Sequence, residues 1–274
     1  EQERDACGVG LVADLKNEPS HKIIEMGITV LKRLMHRGAV GSDPDTGDGA
    51  GILLALPDEF FRLVLPNKLP ARGKYGVAMM FGGCGHEEEL EAAVTENGGS
   101  VIAWRSVPVD RDSIGKNAQR TCPLIRQLFI DGSGFADQAE FERKLFVMRR
   151  EMERRVEGCY VCSCSCRSIV YKGLFLGTQI EGFYGDLASE HFKSPLALVH
   201  QRYSTNTFPT WSLAHPFRYL AHNGEINTLR GNLNHLSVRE PHLSSTLLGD
   251  DLQKLLPLIP PGQSDSACLD NMVE

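Results

Sequence analysis

The hydrophobic positions of the chain alternate over short stretches and recur at helical spacing over longer ones. Val9, Leu11 and Ala13 alternate with less apolar residues, which predicts a strand from residue 8 to 14. The same pattern, with turn residues at the boundaries, predicts further strands at 51–56, 75–81, 100–107, 171–176, 194–202 and 217–222. Helical spacing predicts helices at 20–36, from 58, and at 87–97, 137–157, 226–239 and 246–256.

Capping residues sharpen several of these boundaries. Ser20 and Asp137 precede periodic segments and are typical helix N-caps, and Gly98 follows the acidic helix that ends near it. Residues 110–120 are polar and are expected to be irregular. The strands come in blocks separated by helices, a pattern that fits two stacked sheets covered by helices on both sides. The predicted fold class is therefore α+β.

Length and composition allow one substantial core. The chain has 274 residues, of which 42% are hydrophobic, and no internal break argues for two domains. Its net charge of -6 and pI near 5.9 do not favour binding to nucleic acid or to an anionic membrane. No apolar run approaches the roughly 18 residues of a membrane span, and residues 1–5 lack the features of a secretory signal. A cytoplasmic location is the expectation.

A cysteine stands at the head of the first predicted strand, in the sequence Asp-Ala-Cys-Gly-Val-Gly over residues 5–10. A thiol attacks only as thiolate, so Cys7 needs a base. Cleavage of the bond between Ala6 and Cys7 would free an amine of pKa about 8 beside that thiol. Gly8 and Gly10 would let a substrate approach closely. This hexapeptide alone fits a packing cysteine better, because most cysteines are core residues.

A cluster of four cysteines raises the possibility of a metal site. Zinc and iron–sulfur sites usually leave two or more residues between paired ligands, but here the gaps are two, one and one residues. On a strand, Cys162, Cys164 and Cys166 would all point to one face in a line. With Cys159, they are interpreted as core packing, and no metal site is predicted.

The acidic stretch that begins at Asp43 resembles a calcium loop only superficially. An EF-hand needs oxygen ligands at alternate positions and a glutamate at the twelfth. Counting from Asp43, the fifth position is Gly47 and the twelfth is Leu54. A turn that leads into the next strand is the better interpretation.

Four motifs downstream of Cys7 change the interpretation of that cysteine. They occupy residues 200–207, 214–216, 221–227 and 262–265. With Cys7 they resemble the class II, amino-terminal nucleophile, glutamine amidotransferases, and within them the glutaminase domain of glutamate synthase. Residues 36–38, 45–51 and 202–211 carry the likeness to glutamate synthase. The resemblance implies the four-layer αββα sandwich of the amino-terminal nucleophile hydrolases.

The resemblance also implies roles for individual residues, with Cys7 as the nucleophile. Arg202 matches the arginine that binds the substrate carboxylate with its planar fork, and Asp265 matches the residue that binds the ammonium. Asn223 and Gly224 match the oxyanion hole. On bare sequence, Arg202 could instead form a surface ion pair, Asp265 could cap a helix from Ser266, and Asn-Gly could be a tight turn.

Residues 203–211 match the family's mobile loop, which closes over glutamine and excludes water. Thr205 and Asn206 are expected to line the site through this loop. Four histidines near the motifs could serve a papain-like pair, but in the resembled family the base is the freed amine of Cys7. They are interpreted as structural residues: His36, His200, His215 and His222.

The resemblance defines expectations for the whole chain. Residues 1–6 are expected to be a propeptide-like extension whose presence leaves the enzyme inactive, and residues 7–274 an amidotransferase domain that is incomplete at its C-terminus. The expected reaction is hydrolysis of L-glutamine through a γ-glutamyl thioester. In the family the ammonia passes to a synthase domain or subunit, which aminates 2-oxoglutarate reductively in glutamate biosynthesis.

No cofactor is expected within this segment. The resemblance implies flavin mononucleotide (FMN) and an iron–sulfur cluster for the full-length oxidoreductase, with an electron-donor subunit or ferredoxin as a partner. Two other functions stay open at this stage. One is the glutaminase domain of another class II amidotransferase, and the other is a non-catalytic binding module that keeps its extension.

Overall fold

The computed structural model describes residues 7–204 and 207–274. Within these residues, eight strands form two four-stranded antiparallel sheets, with strand orders β1-β8-β2-β7 and β4-β5-β3-β6. The strands are β1 (Gly8–Ala13), β2 (Ala50–Ala55), β3 (Tyr75–Phe81), β4 (Ser100–Ser106), β5 (Ile125–Asp131), β6 (Tyr160–Ser165), β7 (Ser168–Gly173) and β8 (Leu196–Gln201).

The described α-helices are α1 (His21–Arg33), α2 (Asp58–Val64), α3 (Glu87–Thr95), α4 (Lys116–Thr121), α5 (Gln138–Arg155), α6 (Ile180–Phe183), α7 (Leu229–Arg239) and α8 (Asp265–Val273). Short 3₁₀ helices occupy Met35–Arg37, Arg111–Ser113, Gly185–Ala188, Glu240–His242 and Gly249–Leu255. The helix predicted at 246–256 is thus a 3₁₀ helix, and the one predicted at 226–239 begins at Leu229.

The first sheet gathers three chain segments at one edge. Gly8 and Ala50 both pair with Gln201 on the central strand β8. The residues next to these pairs are therefore neighbours, and the amide of Arg202 donates to the carbonyl of Gly49 at 2.8 Å. This register brings the cysteine before β1 close to the arginine after β8, although 195 positions separate them in the sequence.

Helix α1 covers the first sheet. Its buried residues Ile24, Ile28 and Leu31 recur at helical spacing and join the larger hydrophobic core. A Cβ at Gly27 would lie 2.6 Å from the Cβ of Ala197 on β8, so this glycine lets helix and strand approach closely. Ser20 stands at the N-cap as predicted, but its side chain makes no capping hydrogen bond.

The second sheet packs against α3 and α5. Apolar residues from β3, β5 and β6 share a separate hydrophobic cluster with Leu90 and Leu145 of these helices. Asp137 caps α5 as predicted, because its side chain accepts a hydrogen bond from the amide of Glu140 at 2.8 Å. The larger cluster contains residues of both sheets and of α1.

The cysteine cluster corrects one prediction. All four of its members are buried and free, but they do not share one face. Cys162 belongs to the larger hydrophobic cluster, whereas Cys164 and Cys166 belong to the cluster under α3 and α5. The register between β3 and β6 shifts beside Cys162, and such a bulge reverses the alternation of side chains along the strand.

Several strand predictions differ from the structure, and the strand predicted at 171–176 is β7, which runs from Ser168 to Gly173. Strand β5 was not predicted, because it follows a polar segment and carries Arg126 and Gln127 in buried positions. No strand occurs at 217–222 within the described chain. There the amide of Tyr219 donates to Oδ1 of Asp270 on α8 at 2.8 Å, so the segment pairs with a helix side chain in place of a strand.

Candidate active site

A cavity of about 250 Å³ lies at the edge where β1, β2 and β8 meet. It contains all of the predicted site residues that the structure describes. They are Cys7, Arg202, Asn223, Gly224 and Asp265. Thr205 and Asn206 fall outside the described residues, as does the extension at 1–6.

Cys7 is half-buried and hydrogen-bonded to the backbone after β8. Its Sγ lies 3.3 Å from the amide nitrogen of Tyr203 and 3.5 Å from the carbonyl oxygen of the same residue. Burial raises the pKa of the Cys7 thiol, an effect partly opposed by the Tyr203 backbone and by Arg202. The sulfur is therefore a protonated thiol at neutral pH in this environment, and attack requires a base.

Arg202 is buried, with 3% of its surface exposed. Its Nη2 donates to Oγ1 of Thr207 at 2.8 Å, and its Nη1 makes a long contact of 3.4 Å to the carbonyl of Asp48. Within the described residues it forms no ion pair, so the surface ion pair considered from sequence is wrong. Burial lowers its pKa from the usual value. Because no described carboxylate forms an ion pair with Arg202, its positive charge is available to an anion that enters the cavity.

Asp265 is the first residue of α8, but Ser264 is the cap. The side chain of Ser264 accepts a hydrogen bond from the amide of Ala267 at 3.2 Å. Oδ2 of Asp265 instead accepts from the amide of Ile226 at 2.8 Å, which ties the helix to the segment after Gly224. The capping role considered for Asp265 is therefore wrong, and its carboxylate faces the cavity region.

The amide of Gly224 has a partner already. It donates to Nδ1 of His222 at 3.1 Å. An accepting Nδ1 places the ring proton on Nε2, which lies 2.8 Å from Oγ of Ser266 and can donate to it. A bound oxyanion can receive the Gly224 amide only if this contact to His222 opens.

Asp48 lies next to Arg202 but lines a different cavity, and the sequence reasoning assigned it to a turn. Its Oδ2 accepts from the amide of Ser204 at 2.7 Å, and its negative charge acts on the neighbouring Arg202. Burial raises the pKa of Asp48, while the Ser204 amide and Arg202 oppose that shift. The sequence offered one signal for this residue, because Asp48 lies within the acidic and glycine-rich residues 45–51. Acidic side chains are seldom buried, so a buried Asp48 beside Arg202 is unusual.

The resemblance makes glutamine the expected substrate, and on that expectation Asp48→Asn should raise the KM for glutamine about fivefold with a smaller change in kcat. The amide side chain keeps an acceptor for Ser204 but loses the charge, and the difference between charged and neutral hydrogen bonds is about 1 kcal/mol. Steady-state ammonia release checks this. The control is Asp43→Asn, which lies in the same turn and bonds the amide of Asn117. Equal effects of both substitutions would contradict a role for Asp48 at Arg202.

Two neighbouring histidines are buried and neutral. Nδ1 of His215 lies 3.3 Å from Nδ1 of His200, so one ring donates and the other accepts. Burial lowers the pKa of His200 to about 3 and lowers the pKa of His215 as well. His215 lines the cavity, whereas His36 bonds the carbonyl of Arg33 on the exposed surface.

Lys172 is hydrogen-bonded to the chain segment that precedes His215 of the cavity. This residue of β7 is fully buried, and its Nζ donates to the carbonyls of Ser212 at 2.9 Å and Ala214 at 2.7 Å. Burial lowers its pKa to about 7. These bonds fix the segment that leads into His215, so Lys172 is a positioning residue that sequence reasoning missed.

The described residues contain no group of three or more His, Cys, Asp or Glu side chains arranged to hold a metal ion. A thiol, a guanidinium, a carboxylate and amide donors surround one small cavity. None of the helices in the described ranges is long and apolar enough to cross a lipid bilayer.

Comparisons with known proteins identify the class. The family model of class II glutamine amidotransferases matches residues 7–274, and the chain belongs to this family of enzymes. It is 49% identical to the glutamate synthase [NADPH] large chain of Bacillus subtilis (strain 168), with 100% of this chain and 19% of that protein covered. The corresponding protein of Azospirillum brasilense is 43% identical over 100% of this chain and 19% of its own length.

The likeness extends to eukaryotes. The glutamate synthase [NADH] of Saccharomyces cerevisiae (strain ATCC 204508 / S288c) is 43% identical, over 99% of this chain and 14% of that protein. The chain thus spans less than a fifth of the length of these curated relatives.

Proposed function

We propose that this chain is the glutaminase part of a glutamate synthase and hydrolyses L-glutamine to glutamate and ammonia. The observation that carries the proposal is the single cavity shared by Cys7, Arg202, Asn223, Gly224 and Asp265. The thiol, the guanidinium, the carboxylate and the amide donors that the reaction needs line this cavity, and the base is the amine that Cys7 gains when residues 1–6 are removed. The similarity to glutamate synthases over the full chain supports the same function.

The substrate is held at its amino-acid end. A glutamine α-carboxylate can accept two parallel hydrogen bonds from the planar guanidinium of Arg202, which has no carboxylate partner in the described chain. The α-ammonium pairs with the carboxylate of Asp265. Because the α-carboxylate and the α-ammonium are both held, the glutamine side chain has a fixed direction, with its amide carbon toward Cys7.

Catalysis starts once Cys7 is the first residue of its chain. Its free amine then takes the thiol proton, which is necessary because burial raises the pKa of the thiol. The thiolate attacks the side-chain amide carbon of glutamine. The resulting oxyanion is stabilised by the side-chain amide of Asn223 and by the Gly224 amide, after the latter leaves His222.

The intermediate then collapses. The ammonium of Cys7 returns its proton to the leaving nitrogen, ammonia departs, and a γ-glutamyl thioester remains on Sγ. One water molecule, deprotonated by the same amine, attacks the thioester carbon. This step releases glutamate and restores the thiol. Closure of the segment around Tyr203 and Thr207 keeps bulk water away until ammonia has left.

We propose that the two sheets and their helices stack as the four-layer αββα sandwich of the amino-terminal nucleophile hydrolases. Helix α1 packs on the first sheet, and α3 and α5 pack on the second. A hydrophobic cluster with residues of both sheets supports stacking of the sheets on each other.

The ammonia serves a reaction elsewhere in the complete enzyme. We propose that a synthase domain or subunit receives it for reductive synthesis of glutamate from 2-oxoglutarate. The four cysteines between residues 159 and 166 do not fit an iron–sulfur cluster, because they are divided between two different hydrophobic clusters. We propose that other parts of the enzyme hold the iron–sulfur cluster, FMN and the electron-donor site. We place the enzyme in the cytoplasm, where a thiol nucleophile stays reduced.

The test compares the full chain with the form trimmed to begin at Cys7. We expect only the trimmed form to release ammonia from glutamine and to be labelled at Cys7 by a glutamine-like electrophile. Cys84 is exposed and free, so it serves as the internal control for nonspecific thiol labelling. Equal labelling of Cys84 and Cys7, or a trimmed form without turnover, would support a non-catalytic binding module instead.

A further inference from the structure

A second cavity, of about 310 Å³, lies between α5, the chain at 254–263 and α8. Its volume is at the lower end of the range of small-molecule sites, about 300–1,000 Å³. It shares no lining residue with the candidate active-site cavity, although Gln263 on its wall directly precedes Ser264 of that site. Nothing in the proposed glutaminase reaction uses it.

The polar lining of this cavity is mostly cationic. Five of its residues are basic and one is acidic: Arg149, Arg150, Arg154, Arg218, Lys254 and Glu153. Four of the cations have carboxylate partners. Arg149 pairs with Glu153 and Glu274, Arg154 with Glu151, Arg218 with Asp270 and Glu274, and Lys254 with Asp251.

Arg150 is the exception. It is buried, with 8% of its surface exposed, and forms no ion pair within the described part of the chain. Its Nη2 donates to the carbonyls of Leu255 and Pro257, and its Nε and Nη1 have no hydrogen-bond partner among the described residues. Burial and the nearby Arg149 lower the pKa of Arg150. Glu153 and Glu274 oppose this shift through their charge, but both pair directly with Arg149 and neither forms an ion pair with Arg150. An anion in the cavity could therefore contact the guanidinium of Arg150 directly.

Apolar side chains complete the wall. Phe217, Leu256 and Pro257 line the cavity beside the arginines. A bare inorganic ion would leave this surface unused, whereas a carboxylate on a short hydrocarbon body would contact both parts of the wall. We propose that this cavity binds a small organic carboxylate anion, with Arg150 as its main contact.

Titration calorimetry of the 274-residue chain with glutarate tests the proposal. Glutarate has no α-amino group and so lacks the partner of Asp265. We expect saturable binding of one glutarate, weakened about tenfold or more by Arg150→Gln, since a charge-assisted hydrogen bond is lost. Arg150→Lys keeps the charge and should retain part of the affinity.

The matched control is Arg143→Gln. Arg143 lies on the same helix but lines a different cavity, so its loss should leave glutarate affinity unchanged. Arg154→Gln provides a second variant that removes a half-exposed cation of the lining, and should weaken binding about two- to threefold. Arg202→Lys should have no effect, which separates this cavity from the proposed glutamine site even if glutaminase activity proves absent.

Four results would overturn the proposal. One is the absence of glutarate binding, and another is unchanged affinity in Arg150→Gln. The third is glutarate binding that occurs with this chain but is absent in a longer polypeptide that contains it. In that case an acidic side chain of the longer polypeptide would occupy the cavity. Inorganic phosphate serves as the comparison probe. The fourth result is a phosphate affinity equal to that of glutarate, which would contradict the choice of an organic carboxylate.

Discussion

Cys7→Ala in the trimmed protein should reduce ammonia release from glutamine to background. The sulfur is the atom that we propose forms the thioester, and Cys7 is the one thiol among the described residues that line the cavity. The expected loss in kcat is about a thousandfold or more, as is usual when a nucleophile is removed. Coupled detection of ammonia and glutamate measures it.

Two matched variants make the Cys7 result specific. Cys122→Ala removes another partly buried thiol whose pKa is also raised by burial, but which lies outside the cavity, and it should retain full turnover. Cys7→Ser keeps an amine next to a hydroxyl and should be strongly impaired, because a hydroxyl is harder to deprotonate than a thiol. Substantial turnover by Cys7→Ala would refute the proposed nucleophile.

The sequence predicted the elements whose pattern is local. Strand β1 and helix α1 have clear periods, and Asp137 caps α5 as its position suggested. Strand β5 escaped prediction because its buried Gln127 is satisfied by residues far along the chain. Its Nε2 donates to the hydroxyl of Tyr171 at 3.0 Å, and its Oε1 accepts from Arg105 at 2.9 Å.

The wrong prediction of side-chain direction in the cysteine cluster also arises from a contact between segments that are distant in the sequence. The bulge beside Cys162 depends on the pairing of β6 with β3, and nothing within the cysteine cluster itself encodes it. The segment at 217–222 has strand-like composition. Its polar groups are satisfied by α8 instead, where Arg218 pairs with Asp270 at 3.0 Å.

The candidate site was predictable only in part. Resemblance selected Cys7, Arg202 and Asp265, and the antiparallel register of the first sheet explains how the first two meet. The contact between Asp48 and the amide of Ser204 spans 156 positions and involves a backbone group, so no local pattern could indicate it. The bond from Gly224 to His222 is short-range, but it depends on the orientation of one peptide plane.

Arg202→Lys should raise the KM for glutamine about 10- to 100-fold while kcat changes much less. A lysine keeps the positive charge but cannot offer two parallel donors to the α-carboxylate, and one charge-assisted hydrogen bond contributes about 1.5–3 kcal/mol. The contact to the remote end of the substrate is the same in the ground and transition states, so its loss appears mainly in KM. Steady-state kinetics over a wide range of glutamine concentrations separates the two constants.

The shorter side chain of the lysine variant also loses the hydrogen bond to Thr207, so thermal unfolding must be measured in parallel. Arg120→Lys is the matched control, because Arg120 lines a different cavity and the same substitution there should leave KM unchanged. An unchanged KM in a folded Arg202→Lys protein would contradict carboxylate binding by Arg202. A large fall in kcat with normal KM would instead assign the guanidinium to the transition state, through its charge on the Cys7 thiolate.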